Sequence, residues 1–285
     1  MSRKITLILV SIFLLSIIAV AIGISISPGT FLLQNVPIGK KYDITASAGY
    51  RIKIGKESGS TTYILTPRRP SDDGTKATGF YDFPEPSWFH LERDTISLLA
   101  DSTSTSAMWL KFPDDPSLYN RHFLLGVDVS PTVGSTKGMV AVGAYLLYRF
   151  ETEPKADVVP NLPDGEIVFV PSVIEFKNLG KSANLSKDLK IFRGGTKKIE
   201  LKLYRLDPES EVAKYTILLT PGYRRVPENI VYFPKKVTLD KDGGKIFVQV
   251  AYDKQLPYKR LEELIIAESP DGKKAFLRVH LISKQ

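Results

Sequence analysis

From residue 28 onward, apolar positions recur at about every second residue, in short runs separated by Gly, Pro, Asp and Asn. Tyr50-Arg51-Ile52-Lys53-Ile54 and Lys198-Ile199-Glu200-Leu201-Lys202-Leu203-Tyr204 show the pattern most cleanly, and a period of two is that of a half-buried strand. No stretch in this part keeps a capped apolar stripe of helical period, so strands are expected throughout. In the first half they fall at Thr30-Phe31-Leu32-Leu33, at Val36 to Ile44 with a turn at Gly39, at Tyr50 to Ile54, and at Thr61 to Leu65. In the second half they fall at Ile167 to Val170, Tyr215 to Leu219, Ile246 to Val250, Leu264 to Ala267 and Ala275 to Ile282. Leu189 to Phe192 and Lys198 to Tyr204 read as a hairpin about Arg193-Gly194-Gly195-Thr196, and Pro270-Asp271-Gly272-Lys273 reads as a second hairpin turn. Short strands spaced this closely point to a sandwich or barrel.

Two stretches depart from simple alternation. Gly138 to Phe150 is apolar on both faces: Val140, Val142, Ala144, Leu146, Tyr148 and Phe150 on one, Met139, Ala141, Gly143, Tyr145 and Leu147 on the other. A strand of that kind must be covered on both sides. Its outer face is therefore expected against a second domain, the membrane-proximal region, or a strand of another protein. Pro70 to Trp88 is a Gly-, Pro- and Asp-rich insertion carrying Phe80, Tyr81, Phe83 and Trp88. Long loops are often functional, so these rings are candidate partner anchors, or else a cover for the open end of the sandwich.

Part of the pattern occurs twice. Ile96 to Pro131 and Val237 to Pro270 share an order of elements, and Tyr119-x-Arg121 precedes Ser130-Pro131 at the spacing that separates Tyr258-x-Arg260 from Ser269-Pro270. A further echo joins Leu65-Thr66-Pro67-Arg68-Arg69 to Leu219-Thr220-Pro221 with Arg224 and Arg225. The reading is two similar β domains, 28–153 and 165–285, joined by a Pro-rich linker at 154–164.

The N-terminus follows a different rule. Arg3 and Lys4 precede Ile5 to Ile26, 22 residues without a charge. As a helix they rise about 33 Å, enough for a hydrocarbon core of ~30 Å. Residues 1–27 are thus expected to be a transmembrane anchor with its N-terminus in the cytoplasm, or a cleaved secretory signal. In either case the remainder lies outside the cytoplasm, secreted or periplasmic if cleaved.

Composition narrows the chemistry. With no cysteine, disulfides, thiolate metal sites and cysteine nucleophiles are all excluded. The net charge of +8 is concentrated after residue 160, where 23 basic residues face 16 acidic ones. Arg224, Arg225, Lys235 and Lys236 form the candidate basic surface, suited to anionic lipid or glycan, while the expected location disfavours nucleic acid. His90, His122 and His280 stand alone, and Asp72-Asp73 and Asp114-Asp115 lie in turns where Asp is favoured anyway. Asn184-Leu185-Ser186 matches a glycosylation pattern. No catalytic, metal or cofactor motif is present, so the chain is expected not to be an enzyme.

The Lys-rich strand–turn–strand opening, the Thr-Pro connection and the Tyr-x-Arg segments resemble prokaryotic immunoglobulin-like surface domains. Their order is similar to that of two-domain periplasmic pilus chaperones, in which the last strand of the first domain is lent to a fibre subunit; Gly138 to Phe150 stands at that place. The resemblance implies an all-β fold, two tandem immunoglobulin-like sandwiches behind the N-terminal helix. The expected function is a membrane-anchored extracytoplasmic structural or protein-binding module with a protein partner at the cell surface. The alternatives are a subunit-capping chaperone and a polysaccharide-binding or glycan-processing protein.

Overall fold

The computed structural model describes residues 24–56, 59–132, 142–159, 161–195, 198–206 and 216–284. Twelve strands make the first unit: β1 (Ile24–Ser27), β2 (Thr30–Val36), β3 (Lys41–Asp43), β4 (Ile52–Lys56), β5 (Thr61–Arg68), β6 (Tyr81–Asp82), β7 (Phe89–Leu91), β8 (Thr95–Leu98), β9 (Ser102–Ser106), β10 (Met108–Lys111), β11 (His122–Pro131) and β12 (Ala144–Thr152). Ten make the second: β13 (Ile167–Val170), β14 (Val173–Leu179), β15 (Ala183–Arg193), β16 (Ile199–Arg205), β17 (Arg224–Arg225), β18 (Val231–Tyr232), β19 (Lys236–Leu239), β20 (Gly244–Tyr252), β21 (Arg260–Glu268) and β22 (Lys274–Ser283).

The second unit is the simpler. One sheet runs β13-β15-β20-β18 and the other β14-β22-β21-β16-β19, with β17 set parallel on β21. That is the strand order of an immunoglobulin-like sandwich whose first strand is shared between sheets. Ile191, Val248 and Val250 from one sheet and Leu201, Ile265, Leu277 and Val279 from the other close a common core. The first unit repeats the plan. Its long sheet runs β2-β12-β11-β5-β8, with β6 parallel to β11, and its other sheet is split into β1-β4-β9 and β3-β10-β7. In both units the first strand crosses between sheets at a proline, Pro28 between β1 and β2 and Pro171 between β13 and β14. Proline offers no N–H to a ladder, so pairing stops there and the chain can change partner.

The split in the first unit has a local cause. Asp43 caps a one-turn helix, α1 (Ile44–Ala48), by accepting from the Ala46 amide at 2.8 Å, and Gly49 closes it with φ 75°. The left-handed cap suits glycine, which has no Cβ to clash. α1 interrupts the strand made by β3 and β4, places Ile44 in the core, and returns Tyr50 beside β2, where its ring stacks on Phe31 at 4.9 Å. The second unit has an unbroken β15 instead.

Several expectations need correction. Ile24 to Ile26, assigned to the apolar helix over residues 5–26, are in β1, paired with Ile54 to Lys56; the period-two sequence Ile-Ser-Ile-Ser fits a strand at least as well as a helix. Residues 5–23 lie outside the described residues, among which no helix is long and apolar enough to cross a membrane. The hairpin expected about Arg193 to Thr196 does not exist: β15 pairs with β13 and β20, and β16 with β19 and β21. Alternation fixes which residues share a face but not which strand lies alongside. Thr216 to Leu219 is not a strand. The echo of Leu65 to Arg69 is also misplaced, since the counterpart of β5 is β16 and that of β6 is β17, both judged by pairing with β11 and β21. The repeat from Ile96 and Val237 does hold, opening with the sheet-edge strands β8 and β19 and ending on β11 and β21.

Candidate interaction site

The two sandwiches meet through the outer faces of their long sheets. On β12, Leu146, Tyr148 and Phe150 turn into the first core, while Arg149 and Glu151 face the other way and are nonetheless buried. On β22, Leu277, Val279 and Leu281 turn inward and Arg278 faces out. The junction places these charges together. Arg278 is fully buried and donates from Nε to Glu151 at 2.7 Å, from Nη2 to the other oxygen of Glu151, and from Nη1 to Glu262 of β21. Gln34 of β2 bridges the domains, donating to Glu151 and to Thr220 at 3.0 Å each, and the Thr220 amide donates to Glu262 at 2.7 Å. Burial pulls the Arg278 pKa down, but Glu151 and Glu262 more than offset it, so the net shift is upward and the guanidinium stays charged. Arg149, also buried, is lowered to about 10 by desolvation against the pull of Glu151.

A second layer surrounds this cluster. Arg121 pairs with Glu166 across the junction, and its guanidinium lies 5.5 Å from the Tyr81 ring. The Tyr81 hydroxyl accepts from the Ile167 amide at 2.7 Å, while the Phe80 ring packs 5.1 Å from Phe276. His122 stacks on Phe276 at 3.7 Å, its pKa lowered by burial and then by Arg278 and Arg121. His280 is lowered as well, chiefly by burial. Asn120 fixes the linker, accepting from the amides of Lys155 and Ser172 at 2.9 and 3.1 Å.

The candidate residues are thus scattered by the fold. Phe83 is in the first core with Phe112 at 5.2 Å, and Trp88 packs on both; Phe80 and Tyr81 belong to the junction. Leu146 and Tyr148 are core residues, Val142 is exposed, and Val140 lies outside the described residues. Arg224 and Arg225 sit on β17 beside Leu261 and Glu262. Lys235 and Lys236 join Lys202 and Arg205 around an apolar groove of about 570 Å³ floored by Leu203, Tyr204 and Phe233, although Lys236 is paired with Glu200 at 2.7 Å. Among the described residues no group of three His, Asp or Glu side chains is placed to hold a metal.

Sequence reasoning offered a second domain as one cover for the outer face of Gly138 to Phe150, as found, but missed the charged cluster at that junction. Its signal was the charge interrupting two otherwise apolar strands, Arg149 and Glu151 in β12 and Arg278 in β22. It also missed an opening in the second domain. β14 pairs only with β22, and β15 pairs with β13 only from Lys190 to Arg193, so the β13-side edge of its first half has no partner among the described residues. Between the two edges lies a cavity of about 570 Å³ lined by Ile174, Phe176, Leu185 and Lys187.

No family model and no curated relative matches this chain. Among solved structures it is similar to a protein of unknown function from Porphyromonas gingivalis W83, at 9% identity and TM-score 0.33, covering 91% of this chain and 99% of that one. It is also similar to the class 5 fimbriae chaperone CfaA, at 10% identity and TM-score 0.32 over 92% and 100% of the two chains. The E. coli chaperone DraB gives 10% identity and TM-score 0.31 over 90% and 97%. At such values nothing of what those proteins do passes to this chain, whose role has to be read from its own residues.

Proposed function

We propose that the chain works outside the cytoplasm as a rigid two-domain arm that binds protein and performs no catalysis. The observation that carries this reading is the buried Arg278–Glu151–Glu262 cluster. Bending the junction would strip a guanidinium and two carboxylates of their partners, and breaking a buried pair costs about 3–5 kcal/mol. A junction held in this way keeps the surfaces of the two domains in a fixed relation, as an arm that presents them to a partner requires.

The N-terminal sequence supports the address. With β1 beginning at Ile24, the uncharged run that remains is 5–23, about 28 Å as a helix. That is still close to the ~30 Å of a hydrocarbon core, and an anchor of this length would hold the first domain directly at the bilayer surface. Ala19-Val20-Ala21 also fits a small-x-small cleavage site, and removal after Ala21 would leave two residues before β1. The test is to purify the full-length protein from native membranes, determine its N-terminus, and assay what accompanies it. A stoichiometric protein partner is expected, with residues 5–23 retained if anchored and Ile22 as the N-terminus if cleaved. Turnover of a polysaccharide by the purified chain, with no protein partner, would overturn the reading.

One observation favours strand donation as a second reading. β2 covers β12 only from Leu147 onward, so that Ala144 to Leu146, beside exposed Val142, have no strand partner on that side among the described residues. Val142→Asp tests it, because loss of subunit binding without loss of folding is expected only if this edge is lent. Leu146 and Tyr148 are unsuitable for that purpose, since charge there would unfold the first core.

A further inference from the structure

We propose that the opening between β14 and β15 receives an extended segment of another protein as an added strand, one with apolar residues at alternate positions and an acid among them. This rests on the protein-binding reading and names a surface for it. Two strand edges with backbone donors and acceptors flank the gap, and an added strand satisfies such edges with main-chain hydrogen bonds while alternate side chains fill pockets beneath. The pockets are present. Ile174 and Phe176 of β14 are buried at the floor, whereas Leu185, on the inward parity of β15 shared with Leu189 and Ile191, is 47% exposed. An inward-facing leucine left half in water at a sandwich edge is a core position with no cover.

The first domain shows what a cover looks like on the same scaffold. There the strand corresponding to β15 is broken by α1, and Ile44, Ala48 and Tyr50 close the space beside β2, with Tyr50 stacked on Phe31. In the second domain only Gly180, Lys181 and Ser182 join the two strands, and none of them reaches into the gap.

The charge at the opening selects the occupant. Lys187 shares the inward parity of Leu185 and holds its ammonium 5.6 Å from the Phe176 ring. An inward-pointing lysine blunts an edge against indiscriminate pairing; a strand with a carboxylate opposite it turns that cost into a cross-strand ion pair. Lys177 at the rim is already paired with Glu175 at 2.5 Å, so Lys187 is the cation that an incoming acid would meet.

The experiment uses the full chain in mild detergent and two labelled nine-residue peptides. In both, valine alternates with threonine, and the central valine is replaced by glutamate in one and by lysine in the other. Anisotropy should show the glutamate peptide binding at least tenfold tighter, with amide exchange slowed in residues 174–178 and 184–188. Lys187→Glu should reverse the preference, and Leu185→Asp should weaken both peptides about tenfold; both positions are exposed enough to leave the fold intact. Equal binding of the two peptides, no binding of either, or protection elsewhere would overturn the proposal. Purification of wild type and Leu185→Asp from native membranes separates the two readings. A partner recovered equally with both removes this edge and leaves protein binding standing; no partner with either removes both.

Discussion

The two sandwiches are built on one plan and finished differently. Each has a first strand that changes sheets at a proline, a long sheet in the same order, and a short parallel strand on its central member. In the first domain α1 and Tyr50 seal the space beside the switching strand; in the second, β14 and β15 leave it open. Strand order is set by which edges must pair and which faces must be buried. Closure of a particular edge is set by a few residues in one connection, and these can differ between copies without disturbing the plan.

The largest break removes what the copies share. Arg278→Met leaves Glu151 and Glu262 buried without the guanidinium that bridges them and should cost about 3–5 kcal/mol in urea unfolding, with both domains destabilised. Adding Glu151→Leu and Glu262→Leu to that variant should recover most of the loss, because the charges that had lost their partner are then gone.

Next come the closures themselves. Ile44→Ala empties a fully buried site under α1 and should cost about 2–5 kcal/mol. Leu185→Ala, at the corresponding region of the open domain, should cost less than about 1 kcal/mol, since that side chain is already half in water. Equal costs would mean that the second domain is sealed in solution too.

A third difference is electrostatic. Glu263 on β21 is pushed up to about 7 by burial, which outweighs the pull of Arg205, 3.3 Å away, and of Arg225. Its folded pKa lies above the unfolded value, so the stability it contributes is full below about pH 4.5 and is lost as pH rises through 7. Removing this group with Glu263→Gln should flatten that part of the stability profile by about 1–3 kcal/mol. His122 and His280 act in the opposite sense: their pKa values are lowered, so their contribution is present above about 6.5 and lost on acidification.

Much of the architecture was legible in the sequence because burial writes itself as alternation. The repeat, the all-β class, the turn at Pro270 to Lys273 and the two-faced alternation of β12 follow from it. Pairing did not, because Leu189 to Phe192 and Lys198 to Tyr204 alternate in the same way whether they form a hairpin or cross between sheets. α1 was hidden for another reason: five residues are too few to show a helical period, and its cap reads as an ordinary turn. The aromatics of the Pro70 to Trp88 insertion read as partner anchors or as a cover for the sandwich, a choice that residue type alone does not make; Phe83 is enclosed in the first core. The junction combined Glu151 with Arg278 across 127 positions, a distance over which no local pattern carries information.

The most direct measurement of the difference between the copies is amide hydrogen exchange on the unliganded full-length protein, comparing 183–188 with 44–54. Every second amide in the first half of β15 should exchange far faster than the amides of α1, Tyr50 and β4, because those edge groups face an open gap rather than packed side chains. Uniform slow exchange across both segments would contradict the account, showing that the second domain closes its edge as completely as the first.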